Sequence, residues 1–167
     1  MEDHDRELTI SIREDGFGNA LYSFIQAILR ISDVTYLRRE LVRSTFLEDF
    51  KQTLTEIVYP DRLSFDWNDP ERDPEGKYTV DCCINGMRKP LFVFALSNDD
   101  RTRDATITML FYGQRGLSHR SLGIFEDQEL INRKVLARFS DVCEKQFSTL
   151  RGNRDRIKTF VEDMLPD

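Results

Sequence analysis

Apolar and polar positions alternate along this chain with two different periods. Leu8, Ile10 and Ile12 interleave with Thr9, Ser11 and Arg13, the two-residue period of a half-buried strand, and Asp15-Gly16 supplies a turn behind them. From Phe17 to Ile31 the period lengthens. Leu21, Phe24, Ile25, Ile28 and Leu29 recur at helical spacing and predict an amphipathic helix of about four turns. Asp33 is placed to cap a second helix from Val34 to Val58, with Leu37, Leu41, Val42, Thr45, Phe46, Leu54, Ile57 and Val58 along its stripe. Tyr59-Pro60 ends that helix, because the residue before proline is pushed out of the helical region.

Beyond the helices the pattern predicts a strand from Arg62 to Trp67, a polar, linker-like loop from Asn68 to Gly76, and a further strand from Lys77 to Ile84. Asn85-Gly86 is a hairpin signal. The unbroken apolar run from Pro90 to Leu96 suits a strand buried on both faces. Asn98 or Asp99 caps a helix through Ala105, Ile107, Leu110, Phe111 and Tyr112 that Gly113 and Gly116 terminate, and Ser121 to Phe125 is the next strand. The remainder is read as helical: Leu130, Val135, Leu136, Phe139, Val142, Cys143, Phe147 and Leu150 form one stripe. Gly152-Asn153 breaks it, and Ile157, Phe160, Val161, Met164 and Leu165 form another.

The hairpin makes the Lys77 and Pro90 strands antiparallel, and the helix between the Pro90 and Ser121 strands lets those two run parallel through a right-handed crossover. The expected fold is therefore α/β (α+β): a mixed sheet with an antiparallel meander and one crossover helix, flanked by helices. It is read as a single domain, 1–167, made of an N-terminal strand and helix (1–33), a central core (34–128) and C-terminal helices (129–167).

A chain of 167 residues, 40% hydrophobic, is long enough to bury one core without metal or disulfide staples. Cys82, Cys83 and Cys143 are odd in number and lack CxxC spacing, so they read as buried thiols of a reducing compartment. The charged start, Met1 to Glu7, carries no signal-peptide pattern, and the longest apolar run, Leu91 to Leu96, falls far short of the ~20 residues that span a bilayer. A cytoplasmic protein without membrane contact is expected. The net charge of −6 argues against a protein that coats duplex DNA over its whole surface, but leaves room for a local basic face. No GxxxxGK[ST] or GxGxxG loop occurs, and of the two histidines, His4 and His119, neither is spaced for a nucleophilic triad.

From Val34 to Gln128 the succession of helix, three-strand meander, helix and strand resembles the restriction-endonuclease-like, PD-(D/E)XK, core. The stretch Ile31 to Phe50 (ISDVTYLRRELVRSTFLEDF) also looks like an uncharacterised bacterial or phage family. The resemblance implies an aspartate near the second meander strand and an acid-x-lysine triplet on the third, which together hold a divalent metal and polarise the attacking water. Asp81 stands where the first aspartate is expected. The third strand reads Leu91-Phe92-Val93-Phe94-Ala95-Leu96, with neither acid nor lysine, and Lys89 lies just before it. This departure implies a degenerate core.

The favoured reading is a non-catalytic interaction module of a bacterial or phage conflict system (defence, anti-defence or toxin-antitoxin), which binds a protein partner or nucleic acid and needs no cofactor. Its candidate contacts are Arg38, Arg39 and Arg43 on one helix, with Arg101, Arg103, Arg115 and Arg120 around the crossover; a solvated face accounts for the first three as well. The competing reading is a Mg²⁺- or Mn²⁺-dependent nuclease with a relocated site built from Asp81, Lys89, Asp99 or Glu126. Asp99 and Asp127 have a plainer reading as helix caps, and Asp81 has one as a residue on the solvent face or the partner of a nearby arginine. A homo-oligomer joined through the last helix is a third expectation.

Overall fold

The computed structural model describes residues 17–165, with the side chains of residues 38–44 outside that description. The strand read at Leu8 to Ile12 therefore lies outside the described residues, as do the side chains of Arg38, Arg39 and Arg43. The chain divides into two compact units, Met1–Ser44 and Thr45–Asp167.

The two helices expected on either side of Asp33 are one: α1 runs from Phe17 to Ile57 over 41 residues. Neither glycine nor proline occurs between Asn19 and Tyr59. A lone aspartate with no breaker beside it does not stop a helix. The part of α1 in the first unit has no buried residue from Phe17 to Leu37. In the second unit, Phe46, Phe50, Leu54 and Val58 follow one another at intervals of one helical turn and are buried.

That second unit is built on a five-stranded sheet in the spatial order β1 (Leu63–Trp67), β2 (Val80–Ile84), β3 (Leu91–Leu96), β4 (Arg120–Phe125), β5 (Lys145–Phe147). β1, β2 and β3 pair antiparallel, and β3, β4 and β5 pair parallel. The α/β class, the meander and the crossover through α2 (Asp99–Gln114) agree with the pattern of the sequence.

Two layers of helix cover the sheet. On one face the end of α1 and α4 (Arg154–Glu162) pack with Cys82, Ile84, Val93, Leu122 and Ile124. On the other, α2 and α3 (Arg133–Ser140) pack with Cys83, Phe92, Phe94, Leu96 and Phe125. Every residue of β3 is buried, as the run of apolar side chains requires for a central strand covered on both sides. On α2 the core-facing residues are Thr102, Ala105, Thr108, Met109 and Tyr112, whereas Ile107 and Leu110 are exposed.

The helix expected through Leu150 is shorter than its apolar spacing suggests. α3 ends after eight residues, and the chain then extends into β5, where Phe147 pairs with Ile124 of β4. The apolar residues Cys143, Phe147 and Leu150 are buried as expected, but through an added strand rather than a helical stripe. In α4, Ile157 and Val161 are fully buried against their own sheet. These two side chains are thus committed to their own core and are not offered to a second chain.

Candidate functional site: the fork between β2 and β3

β1 and β2 both change face near one end of the sheet. Phe65 packs on the α1 side and Trp67 on the α2 side, although residues two apart in a regular strand share a face. Between them Asp66 adopts φ 49°, a left-handed conformation that aspartate tolerates better than most residues. Val80 and Cys82 on β2 divide between the two faces in the same way.

At this level the β2–β3 ladder stops. Pairing runs from Ile84↔Leu91 through Cys83↔Phe92 to Cys82↔Val93 and goes no further, while β3 continues in register with β4 as far as Leu96↔Phe125. The Ala95 N–H, which has no β2 carbonyl opposite it, donates instead to Asp81 Oδ2 at 2.8 Å. The other carboxylate oxygen of Asp81 forms an ion pair with the Arg101 guanidinium. Arg101 is brought there by the first turn of α2, where Asn98 Oδ1 caps the helix by accepting from the Arg101 N–H at 2.9 Å.

The Asp81 side chain retains only 15% of its exposure. Burial pushes its carboxyl above the usual carboxylate range, against the opposing pull of the Arg101 charge and the Ala95 N–H; the nearby Asp66 adds to the rise.

The other candidate site residues lie apart from Asp81 or are already engaged. Lys89 sits in the β2–β3 connection at the opposite end of β3 from Ala95, six residues away, or about 20 Å of extended chain. Asp99 Oδ1 accepts from the Asn132 N–H at 2.8 Å, tying α2 to the start of α3, and Oδ2 faces Arg103 at 3.4 Å. Glu126 follows β4 and borders a hollow of about 680 Å³ with Asp127, Glu129, Arg133, Ser148 and Thr149. Asp127 caps the turn after β4, its Oδ1 accepting from the Glu129 N–H at 3.0 Å.

Among the described residues, no three His, Cys, Asp or Glu side chains converge in a way that could hold a metal ion. Mg²⁺ and Mn²⁺ need several oxygen ligands. In the fork Asp81 has a guanidinium against it, the nearby Asp66 is paired with Lys51, and β3 contributes only the backbone of Ala95. These residues do not fit the group.

The crossover arginines fall into two sets at opposite ends of α2. Arg101 and Arg103 are in its first turns, whereas Arg115 is its C-cap and Arg120 opens β4. Arg115 lies fourteen positions after Arg101, about 21 Å along the helix. Each has a partner: Arg103 meets Asp100 at 2.7 Å, Arg115 lies 3.7 Å above the Phe111 ring, and Arg120 Nε donates to Glu144 Oε2 at 2.8 Å. The structure does not gather the four into a single basic face.

The loop from Asn68 to Gly76 is ordered by buried acids that its polar composition concealed. Asp69 accepts from the N–H groups of Glu71 and Arg72 and from the Arg72 guanidinium, and Asp73 accepts from the N–H groups of Lys77 and Tyr78. Desolvation works against the Asp69 charge, but the Arg72 side chain and the two backbone donors outweigh it and hold the carboxyl below its ordinary value. The Tyr112 hydroxyl accepts from the Asp69 N–H at 3.1 Å and donates to the Tyr78 carbonyl at 2.9 Å, binding the loop to α2. The spacing Asp69-x-x-x-Asp73, with each aspartate turning its side chain onto N–H groups ahead of it, was the available signal.

The three cysteines are free and buried. Burial pushes the Cys82 and Cys83 thiols up to about 12 and that of Cys143 to about 11, which leaves them protonated and unreactive near neutrality. His119 stacks on Phe92, ring centroids 4.4 Å apart, with Nδ1 held 2.9 Å from the Leu117 carbonyl oxygen. It is a packing residue.

No protein-family model, curated protein or solved structure matches this chain. No helix among the described residues is long and apolar enough to cross a membrane.

Proposed function

We propose that this chain is a non-catalytic interaction module, a degenerate restriction-endonuclease-like core that acts by binding a protein partner in a bacterial or phage conflict system. The observation that carries this reading is the Asp81–Arg101 pair in the strand fork. The strand order, the parting of β2 from β3 and the carboxylate at that point favour descent from a nuclease core. A cation from α2 sits where a metal would have to bind, and β3 has no acid to share it. The positioning apparatus has been kept and the chemistry lost. The protein-partner arm is favoured over nucleic acid because the four candidate arginines around the crossover already have partners and are divided between two ends of a helix.

The test is incubation of the full chain with duplex DNA, single-stranded DNA and RNA in Mg²⁺ or Mn²⁺, with thermal melting recorded in parallel. No cleavage and no metal-dependent rise in melting temperature are expected. Metal-dependent cleavage abolished by Asp81→Ala would overturn the reading in favour of the relocated nuclease. Co-purification of tagged protein after nuclease treatment addresses the partner. Nucleic acid recovered without protein would sink that part.

A further inference from the structure

Among the described residues, the helix of the first unit presents an exposed apolar surface. From Phe17 to Leu37 the helix carries Phe17, Leu21, Tyr22, Ile25, Ile28, Leu29, Ile31, Val34, Tyr36 and Leu37 with 40–66% of each exposed. Arg30 and Asp33 are the only charges in that span. Side chains of this kind scattered singly over a surface need no explanation; ten on one helix do.

Four of them form a regular line with the half-buried Phe24. Phe17, Leu21, Phe24, Ile28 and Ile31 follow at intervals of four, three, four and three. That alternation returns a side chain to the same line every 3.5 residues, which is the seam by which two helices interlock knobs into holes. Asn19, Gln26, Arg30 and Asp33 share the opposite arc, so neither charge falls on the seam. A membrane surface is a poorer fit, because an interfacial helix carries several lysines or arginines along the polar face of its apolar stretch, whereas between Phe17 and Leu37 there is only Arg30, and Arg38, Arg39 and Arg43 come after that stretch.

We infer that this helix segment, Phe17 to Leu37, is a self-association surface and that its occupant is the same segment of a second copy of this chain. The inference deepens the interaction-module reading by naming one partner. Area supports it. The exposed apolar side chains on the seam and its flanks amount to roughly 600 Å² per copy, or on the order of 1,200 Å² across a two-fold pair, the lower limit of stable protein interfaces. A two-fold axis needs only a surface complementary to itself, which a periodic seam free of charge provides.

The experiment is sedimentation equilibrium of the full chain at tens of micromolar, beside the double variant Leu21→Glu/Ile28→Glu and the polar-arc control Gln26→Glu. The expected result is a mass of two or more 19.7 kDa copies for the wild type and the control, and a single copy for the double variant. All three residues are wholly or partly exposed, so the second unit should melt at the same temperature in every sample. A single-copy mass for the wild type overturns the inference, whether or not that monomer binds lipid vesicles. So does a wild-type assembly that the double variant leaves intact. Assembly that appears only after residues 1–16 are removed also overturns it, because the cover would then be the chain's own N-terminal segment. Cleavage assays on the same samples separate the two ideas: a monomer that does not cut sinks only self-association, and an oligomer that cuts sinks only the non-catalytic reading.

Discussion

Replacing Arg101 by methionine removes the guanidinium from the strand fork while leaving a side chain of similar reach. Removing one partner of a fully buried ion pair costs about 3–5 kcal/mol, because the other charge is left without compensation. Arg101 is 35% exposed and Asp81 15%, so water reaches part of the orphaned carboxylate. Discounting for that access gives about 2 kcal/mol, a fall of roughly 6 °C in melting temperature for a chain of this length. The pH dependence is the sharper test. Burial already raises the Asp81 carboxyl above its unfolded value, so the native state binds that proton more tightly than the unfolded chain does. Its contribution to stability is full below the ordinary carboxylate range and is lost as pH rises through the raised value. Without Arg101 the rise is larger, and the loss continues to higher pH. The penalty of Arg101→Met should therefore be greatest near neutrality and shrink as acid protonates Asp81. Urea unfolding followed by Trp67, the only tryptophan and in contact with Phe92 and Tyr112, reads both quantities. Asp81→Asn keeps an acceptor for the Ala95 N–H, and in that background Arg101→Met should cost little. An equal penalty at about pH 7 and about pH 4.5, unaltered by Asp81→Asn, would refute the electrostatic account.

Three other outcomes are expected. Gly123→Ala would place a Cβ 2.6 Å from Phe139 Cζ and 3.1 Å from Leu96 Cδ1, inside the α3 side of the core. It should destabilise by about 1–3 kcal/mol in chemical denaturation, with recovery when Phe139→Leu makes room. Tyr112→Phe leaves the buried Asp69 N–H without its acceptor and should cost about 1–2 kcal/mol. Limited proteolysis should then cut first between Asn68 and Gly76; unchanged cleavage there would argue against the hydroxyl as the tie. The three thiols should be silent toward a disulfide reagent at about pH 8 in the native protein and should all react in denaturant. A rapidly titrating native thiol would contradict their burial.

The fold was legible where one period ran long enough to exclude the other. β3 is apolar at every position and could only be a central strand, and Asn98 ahead of Asp99-Asp100 marked the start of α2. Two features escaped for opposite reasons. The join between the two expected helices depended on absence, since nothing in the sequence at Ser32-Asp33 breaks a helix, and an aspartate there resembles a cap. β5 is three residues long, too short for alternation to register, and its Phe147 falls by accident on the helical stripe of α3. In the site, Asp81 was visible as a candidate, and pairing with an arginine was among its readings. Its partner was not identified. Arg101 lies 20 residues further on, and only the divergence of β2 from β3 brings the two together.

The two outer strands of the sheet also bear on how this protein can associate. An exposed strand edge is a template for another chain, and long, flat edges lead to ribbons of stacked molecules. β5 offers only three residues of backbone. β1 is turned out of line by the left-handed Asp66, whose carboxylate meets Lys51 at 3.1 Å beside that edge. Among the described residues, neither margin is long or straight enough to extend the sheet from one molecule into the next. Crowding this protein should therefore yield assemblies of closed size rather than fibrils.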